Sequence, residues 1–409
     1  MEFTKFFSIA FRDLVRNRRR TSLTALAVAL GLVVVMAMSS LISGMMGNMV
    51  DENIRISTGH LQIQNENYED NKSSLQYKHL LQDSEAWASQ TEALPEVQSA
   101  APILMMGGLL STPQESTGIS IVGIDPGDAF HDPIKDGITI GEWLKSGDRG
   151  RILIGRILAD QMEITVGRRV SLAISNSDGE PQEEIFTVAG LFDTGFPGID
   201  QNRVILPLEQ AQTFSGVSDR VSSIILMLHD REDTASLAAK MTVPGTQVQT
   251  WEDLNSIILE SMEIGYVFYY IFYAIIFLIV AVLIANTLLM SVFARTREIG
   301  ILAALGMKRR QILSIFLLEG FFQALFGIAL GWALGMGAVY YLTNVGFSMP
   351  EETLAMAEGF AMGTTIYGGY ALGEFAILSL VQLAIVSLAS LYPAWFAARL
   401  EPMDALRVL

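Results

Sequence analysis

Side chains able to do covalent or metal chemistry are few in this chain and poorly spaced for it. Its 409 residues include no cysteine, so neither a disulfide framework nor thiol redox chemistry is available. The four histidines, His60, His79, His131 and His229, are scattered without metal-ligand spacing, so no metal site is expected. The sequence holds no G-x-x-x-x-G-K-[ST] loop to cradle phosphates, no H-E-x-x-H helix to bind zinc and no G-x-S-x-G elbow to present a serine. No cofactor is therefore expected in this chain, and any catalysis falls to a partner.

The polar residues of interest are those placed beside apolar runs. "ARTREIGILAALGMKRRQI" (294–312) opens with Arg295, Arg297 and Glu298 and closes on Lys308, Arg309 and Arg310. Between them Ile299, Leu302, Ala303 and Met307 recur at helical spacing, which predicts a short amphipathic helix. Glu298 in its first turn and the basic cluster at its end suit the helix dipole. Gly300 and Gly306 weaken such a helix; they fit a close backbone approach by a partner, or the end of the helix. A surface connector and a docking element are equally good readings of the residues themselves. Downstream, Glu319 is the only charge between Arg310 and Glu351. It is a candidate proton relay, and equally a side chain that reaches the interface or bonds a neighbouring helix. Gly327, Gly331 and Gly335 then repeat every four residues, a small-residue groove for helix packing.

The elements that position these residues are set by charge. The chain is 51% hydrophobic and 17% charged, too apolar for an ordinary soluble protein. No charge lies between Arg20 and Asp51, Glu263 and Arg295, or Glu374 and Arg399. With the Glu319 run these exceed the roughly 20 residues that cross a bilayer core. Four spans are predicted, at 21–46, 266–293, 312–343 and 374–397, with an external loop at 344–373. The first is read as a retained span rather than a signal peptide, because its apolar stretch is too long for one. Of 27 Lys and Arg, 13 lie in segments 1–20, 294–311 and 398–409, which the positive-inside rule places in the cytoplasm with both termini. The segment 47–265 then lies outside and carries 14 basic and 33 acidic residues, so nucleic acid is excluded as a partner.

Before the first span, "FTKFFSIAFRDLVRNRRR" (3–20) reads as an amphipathic helix in the membrane interface. The pattern stays helical after that span through "MVDENIRIS". On the other flank Thr250 and Asp253 form a capping-box-like start, and 251–265 runs into the second span without a breaker. A helix from Trp251 to Phe293 would be about 64 Å long, so the first two spans are expected to form a stalk. The external segment predicts strand, helix, strand at 47–112 and again at 218–250, sharing one α+β layer. A β-rich subdomain is expected between them at 113–217, with "NSDGEPQ" (176–182) as a hairpin turn. The fold class is thus an α+β membrane protein with four transmembrane helices and a large extracytoplasmic domain between the first two.

"RTREIGILAALGMKRRQI" followed by Glu319 resembles the segment between the second and third spans of FtsX-like permeases, the membrane subunits of macrolide-exporter and lipoprotein-releasing ABC transporters. The closing "YPAWFAARLEPMDALRVL", with Pro393, Ala394, Ala397, Ala398, Arg399, Pro402 and Ala405–Leu406–Arg407, is similar to that family's ending. The resemblance implies that Arg295–Gly306 is a coupling helix seated in a separate ATPase, with Arg295, Arg297, Glu298, Ile299, Gly300, Leu302, Leu305 and Gly306 as its coupling residues. It implies two permeases, identical or homologous, with two ATPases binding MgATP, in the bacterial cytoplasmic membrane. "GRILIGRILADQMEITVGRRVSLAIS" and "GFPGIDQNRVILPLEQAQTF" look like the β subdomain of the lipoprotein-releasing branch. There an acylated protein enters between the first two spans, where Met38, Leu41, Phe272 and Ile276 are expected to face it, and passes to an external carrier. The "NSDGEPQ" turn is shorter than the carrier-gripping hairpin of that branch. Efflux of drugs, peptides or toxins with a periplasmic adaptor is the alternative, as is force transmission to an external enzyme.

Overall fold

A computed structural model describes residues 12, 16, 18–68, 79–241, 243–348 and 365–400. The expected N-terminal amphipathic helix, most of the loop at 344–373 and the tail motif from Pro402 onward lie outside them. The chain forms two compact units, one from Met1–Gly47, Met262–Ser348 and Thr365–Leu409, the other chiefly from Asn48–Ser261.

Four helices among the described residues are long and apolar enough to cross a membrane, Arg18–Asn53, Ser256–Ala294, Arg309–Asn344 and Leu372–Ala398, and most of their residues belong to the first unit. Val28, Val280, Ile284, Leu288, Ala324 and Val386 draw all four into one buried cluster. The glycine groove is used inside this bundle. A side chain at Gly327 would strike Val28, one at Gly331 would lie 2.9 Å from Leu32, and one at Gly335 would lie 2.7 Å from Met36. Both helices advance four residues per contact in the same sense, so the first and third spans run parallel at close approach.

Two spans are less continuous than their sequences suggest. The expected unbroken helix from Trp251 is interrupted: Trp251–Leu254 forms one turn, Asn255 leaves helical geometry, and Ser256–Ala294 follows. Asn255 keeps its backbone bonds to Trp251 and Leu259 and adds side-chain ones, donating to the Trp251 carbonyl at 2.7 Å and accepting from Asn53. The capping box at Thr250 and Asp253 is formed as expected. Opposite it, the first-span helix passes into a π-helical turn, Ile54–Thr58, closed by Gly59 at φ +63. The fourth span breaks at Ser390, because Pro393 has no N–H for the Ala389 carbonyl.

The second unit is built on strands β1 (Leu61–Asn65), β2 (Leu81–Gln82), β3 (Val97–Ser111), β4 (Ser116–Ile124), β5 (Ile138–Gly141) and β6 (Arg151–Gly155). Then come β7 (Arg169–Ser175), β8 (Pro181–Phe192), β9 (Arg203–Pro207), β10 (Arg220–Val221), β11 (Ser223–Leu228) and β12 (Thr246–Thr250). The expected repeat of strand, helix, strand shares one layer, ordered β12-β1-β11-β3. The region 113–217, however, is not an independent insert. Strand β3 is 15 residues long; its first half pairs with β11 and its second half with β4 and β7. From there β4-β9-β6-β8-β7 returns to β3, closing a six-stranded barrel. Inward alternation fills it with Leu104, Met106, Ile119, Ile121, Ile152, Ile154, Leu172, Phe186 and Val204. Closure brings β3 and β7 so close that a side chain at Gly108 would lie 2.8 Å from the Ala173 carbonyl. The "NSDGEPQ" turn is a short hairpin, in which the Asn176 side chain accepts from the Asp178 and Glu180 amides and Gly179 adopts φ +82.

Candidate coupling site

The predicted short helix forms at Thr296–Ala304, set off from the second span by Arg295 at φ −119. Its end is a Schellman closure. Gly306 at φ +93 donates to the Ala303 carbonyl at 3.0 Å and Met307 to that of Leu302 at 3.1 Å. Of the two roles open to Gly306, ending the helix is the one it performs.

The helix has two distinct faces. Ile299 is 4% exposed and packs with Val292, Ile312, Phe316, Ala394 and Ala397, flanked by Ala303 and Met307. Gly300 is buried with it and Leu302 is half-buried. Ile299 and Gly300 therefore face their own bundle, and neither is presented outward as the docking role expected of them requires. Outward stand Arg297, Ile301 at 46% and Leu305 at 80% exposure. Ile301 was not singled out in the sequence, although its position two residues past Ile299 already assigns it to the opposite side.

Charges bind this helix to its neighbours. The Glu298 carboxylate accepts from Arg295 at 2.9 Å and from Arg16 at 2.8 Å, and these two hydrogen bonds, Arg295 first, hold its pKa below the ordinary value. Glu319, 1% exposed, accepts from Arg20 at 2.9 Å, with Ser291 at 3.5 Å and Arg295 at 3.8 Å. Of the roles open to Glu319, bonding to neighbouring helices is the one realised.

The residues expected to face cargo are divided. Met38 and Ile276 are both partly buried against one cluster that includes Val35, Ile42, Tyr273 and Phe277. Leu41 is half-buried, and Phe272 is 53% exposed.

One polar group in the second unit carried no sequence signal. His131 is 3% exposed with neither ring nitrogen hydrogen-bonded among the described residues, and burial pushes its pKa down to about 4. It lines a cavity of about 30 Å³ with Arg203 and apolar residues including Ile103, Val122 and Phe130, room for a water or two rather than a ligand. Nearby Asp128 is pushed up to about 7 by burial, then by Asp125 and Glu92.

A bundle of four spanning helices, a barrel-bearing domain between the first two, and a short braced helix between the second and third define a membrane permease subunit. Residues 21–243 match the model of the MacB-like periplasmic core domain, and 270–402 that of the FtsX-like permease C-terminal. The chain belongs to the MacB-like periplasmic core domain family, with an FtsX-like permease C-terminal region. It is 26% identical over 330 residues to the lipoprotein-releasing system transmembrane protein LolC of Xylella fastidiosa (strain Temecula1), covering 78% of this chain and 76% of that one. To LolC of Neisseria meningitidis serogroup B it is 22% identical over 342 residues, covering 78% and 80%. To the macrolide export ATP-binding/permease protein MacB of Shewanella sp. it is 22% identical, covering 99% of this chain and 60% of that one. A solved structure, the periplasmic region of MacB from Actinobacillus actinomycetemcomitans, aligns with 51% of this chain and 97% of its own at TM-score 0.35 and 17% identity.

Proposed function

We propose that this permease works with a separate ATPase in an ABC transporter that lifts lipoproteins or similar amphiphiles from the outer leaflet of the bacterial cytoplasmic membrane. The observation that carries the mechanical part is the two-faced Thr296–Ala304 helix, fixed on one side and offering Arg297, Ile301 and Leu305 on the other. Two adjacent exposed apolar side chains beside a cation are what a shallow groove on a partner protein would bury. MgATP would bind to that partner, since this chain has no phosphate loop. Both termini and this helix would lie in the cytoplasm, as the basic segments require. The two long helices that flank the external domain would carry the motion outward. A second copy of the permease, identical or homologous, would complete the unit. The choice of cargo is supported by similarity across three quarters of the two LolC proteins.

Leu305→Asp combined with Ile301→Asp is expected to abolish co-purification of the ATPase while the chain still inserts and folds. Normal co-purification would overturn the docking assignment. Mass spectrometry of material bound to the gently purified complex tests the cargo: acylated protein is expected. Similarity over 99% of this chain to a macrolide exporter favours efflux as the second reading, and an adaptor bound to the external domain, with drug sensitivity on deletion, would establish it instead. A bound cell-wall hydrolase would point to force transmission to an external enzyme.

A further inference from the structure

Five charged side chains from three separated stretches close a ring beside the Thr296–Ala304 helix. Arg16 Nη2 donates to both oxygens of Glu298, at 2.8 and 3.1 Å. Glu298 accepts from Arg295 Nε at 2.9 Å, Arg295 Nη1 lies 3.8 Å from Glu319, and Arg20 donates to Glu319 at 2.9 Å. Arg16 and Arg20, four residues apart, complete the circuit through the backbone.

We infer that this ring is a permanent strut, which fixes the short helix to the base of the first-span helix and delivers its displacement there. The inference rests on the reading that an ATPase drives the short helix. The helical run is interrupted at Arg295, which belongs to neither adjoining helix. Such an interruption transmits less force than a continuous helix unless it is braced, and Arg295 reaches both Glu298 and Glu319 from that position. The inner half of the ring does not open readily. Glu319 is 1% exposed and the Arg295 side chain 13%, and separating such a pair strands a charge away from water. The outer Arg16–Glu298 pair is about half exposed on each side, 57% and 49%, and a single exposed pair is worth little alone. Its effect lies in closing the ring: without it the short helix pivots about Arg295.

The absence of native cysteine allows a clean test. Gly47 is exposed on the first-span helix with open space where a side chain would begin, about 40 Å along the helix from Arg20. A fluorescent non-natural residue placed there reports motion delivered along that helix. The full-length permease with its co-purified ATPase, in lipid nanodiscs, is given MgATP, and the signal change is divided by ATP hydrolysed. Arg16→Gln is expected to lower this ratio at least threefold with the amount of bound ATPase unchanged, and Arg16→Lys to restore most of it. A loss that reflected damaged folding would lower ATPase binding as well. In the Arg16→Cys, Glu298→Cys pair, bridging the two thiols with a short bifunctional reagent is expected to recover the ratio, because a covalent strut replaces an ionic one. An unchanged ratio in Arg16→Gln, or a bridged pair that blocks the signal, overturns the strut; the second result would identify a latch that must open. A parent chain that binds no ATPase would overturn the functional reading and the strut together, whereas normal binding with an unaltered ratio removes the strut alone.

Discussion

Asp128 and His131 show how burial, before any other cause, shifts the behaviour of ordinary side chains. Asp128, partly desolvated and facing Asp125 and Glu92, is raised to about 7, and His131 is lowered to about 4 by burial. For a carboxyl whose folded pKa is raised, the native state holds the proton more tightly than the unfolded one. Its contribution is complete below the ordinary carboxyl range and is lost as pH rises toward 7. His131 acts oppositely, losing its contribution as pH falls from about 6.5 to 4. Asp128→Asn removes the first titration and leaves the second. The variant is therefore expected to gain stability over the parent between pH 4 and pH 8, by on the order of 2 kcal/mol. Denaturant unfolding at a series of pH values measures this; a difference that stays flat across the range would show that Asp128 does not titrate as described. Neither residue carries a sequence signal, because their environment is assembled from distant stretches, among them Glu92, Ile103 of β3, β4 and Arg203 of β9.

Among the elements, the third-span helix has the most legible sequence and the sharpest mutational test. The spacing of Gly327, Gly331 and Gly335 announced a close helix contact, and their partners Val28, Leu32 and Met36 lie on the first span at the same interval. Gly331→Leu would place its side chain 2.9–3.0 Å from Leu32 and 3.3 Å from the Ala29 backbone. Overpacking of this kind is expected to cost about 1–3 kcal/mol, seen as a lower melting temperature in detergent. Gly337, with open space around it, is the control: Gly337→Ala should be neutral or slightly stabilising. Equal effects at both sites would mean that the groove is not packed as observed. The interruption at Asn255 was less legible. Asparagine is a poor but tolerated helix residue, and the distortion here accompanies a hydrogen bond that its side chain accepts from Asn53, a partner no local pattern announces.

At the scale of the molecule, the largest feature absent from the sequence reading is barrel closure. Strand lengths and turns were readable, but β4–β9 and β6–β8 pair in parallel across long intervals, and no local pattern encodes such partners. Closure gives the second unit its own core, with Phe186 fully buried against Phe214 at 5.5 Å between ring centres. A fragment spanning 59–250 is therefore expected to fold alone and unfold in one transition. Phe186→Ala should destabilise it by about 3–5 kcal/mol, read from urea denaturation with tryptophan fluorescence. Multiple independent transitions would instead support a separable 113–217 subdomain.

What the sequence by itself determined was whatever depends on neighbours along the chain. Four long apolar runs, three charge-free and one holding only Glu319, dictate four apolar helices, Thr250 and Asp253 cap a helix, and "NSDGEPQ" turns a hairpin. Solvent and backbone geometry enforce these wherever the segments lie. Tertiary structure alone decided which distant charges meet and which face of each helix is used. Arg16, Arg20, Arg295, Glu298 and Glu319 are separated by up to 303 positions, and their attraction acts only after packing has brought them within hydrogen-bond range.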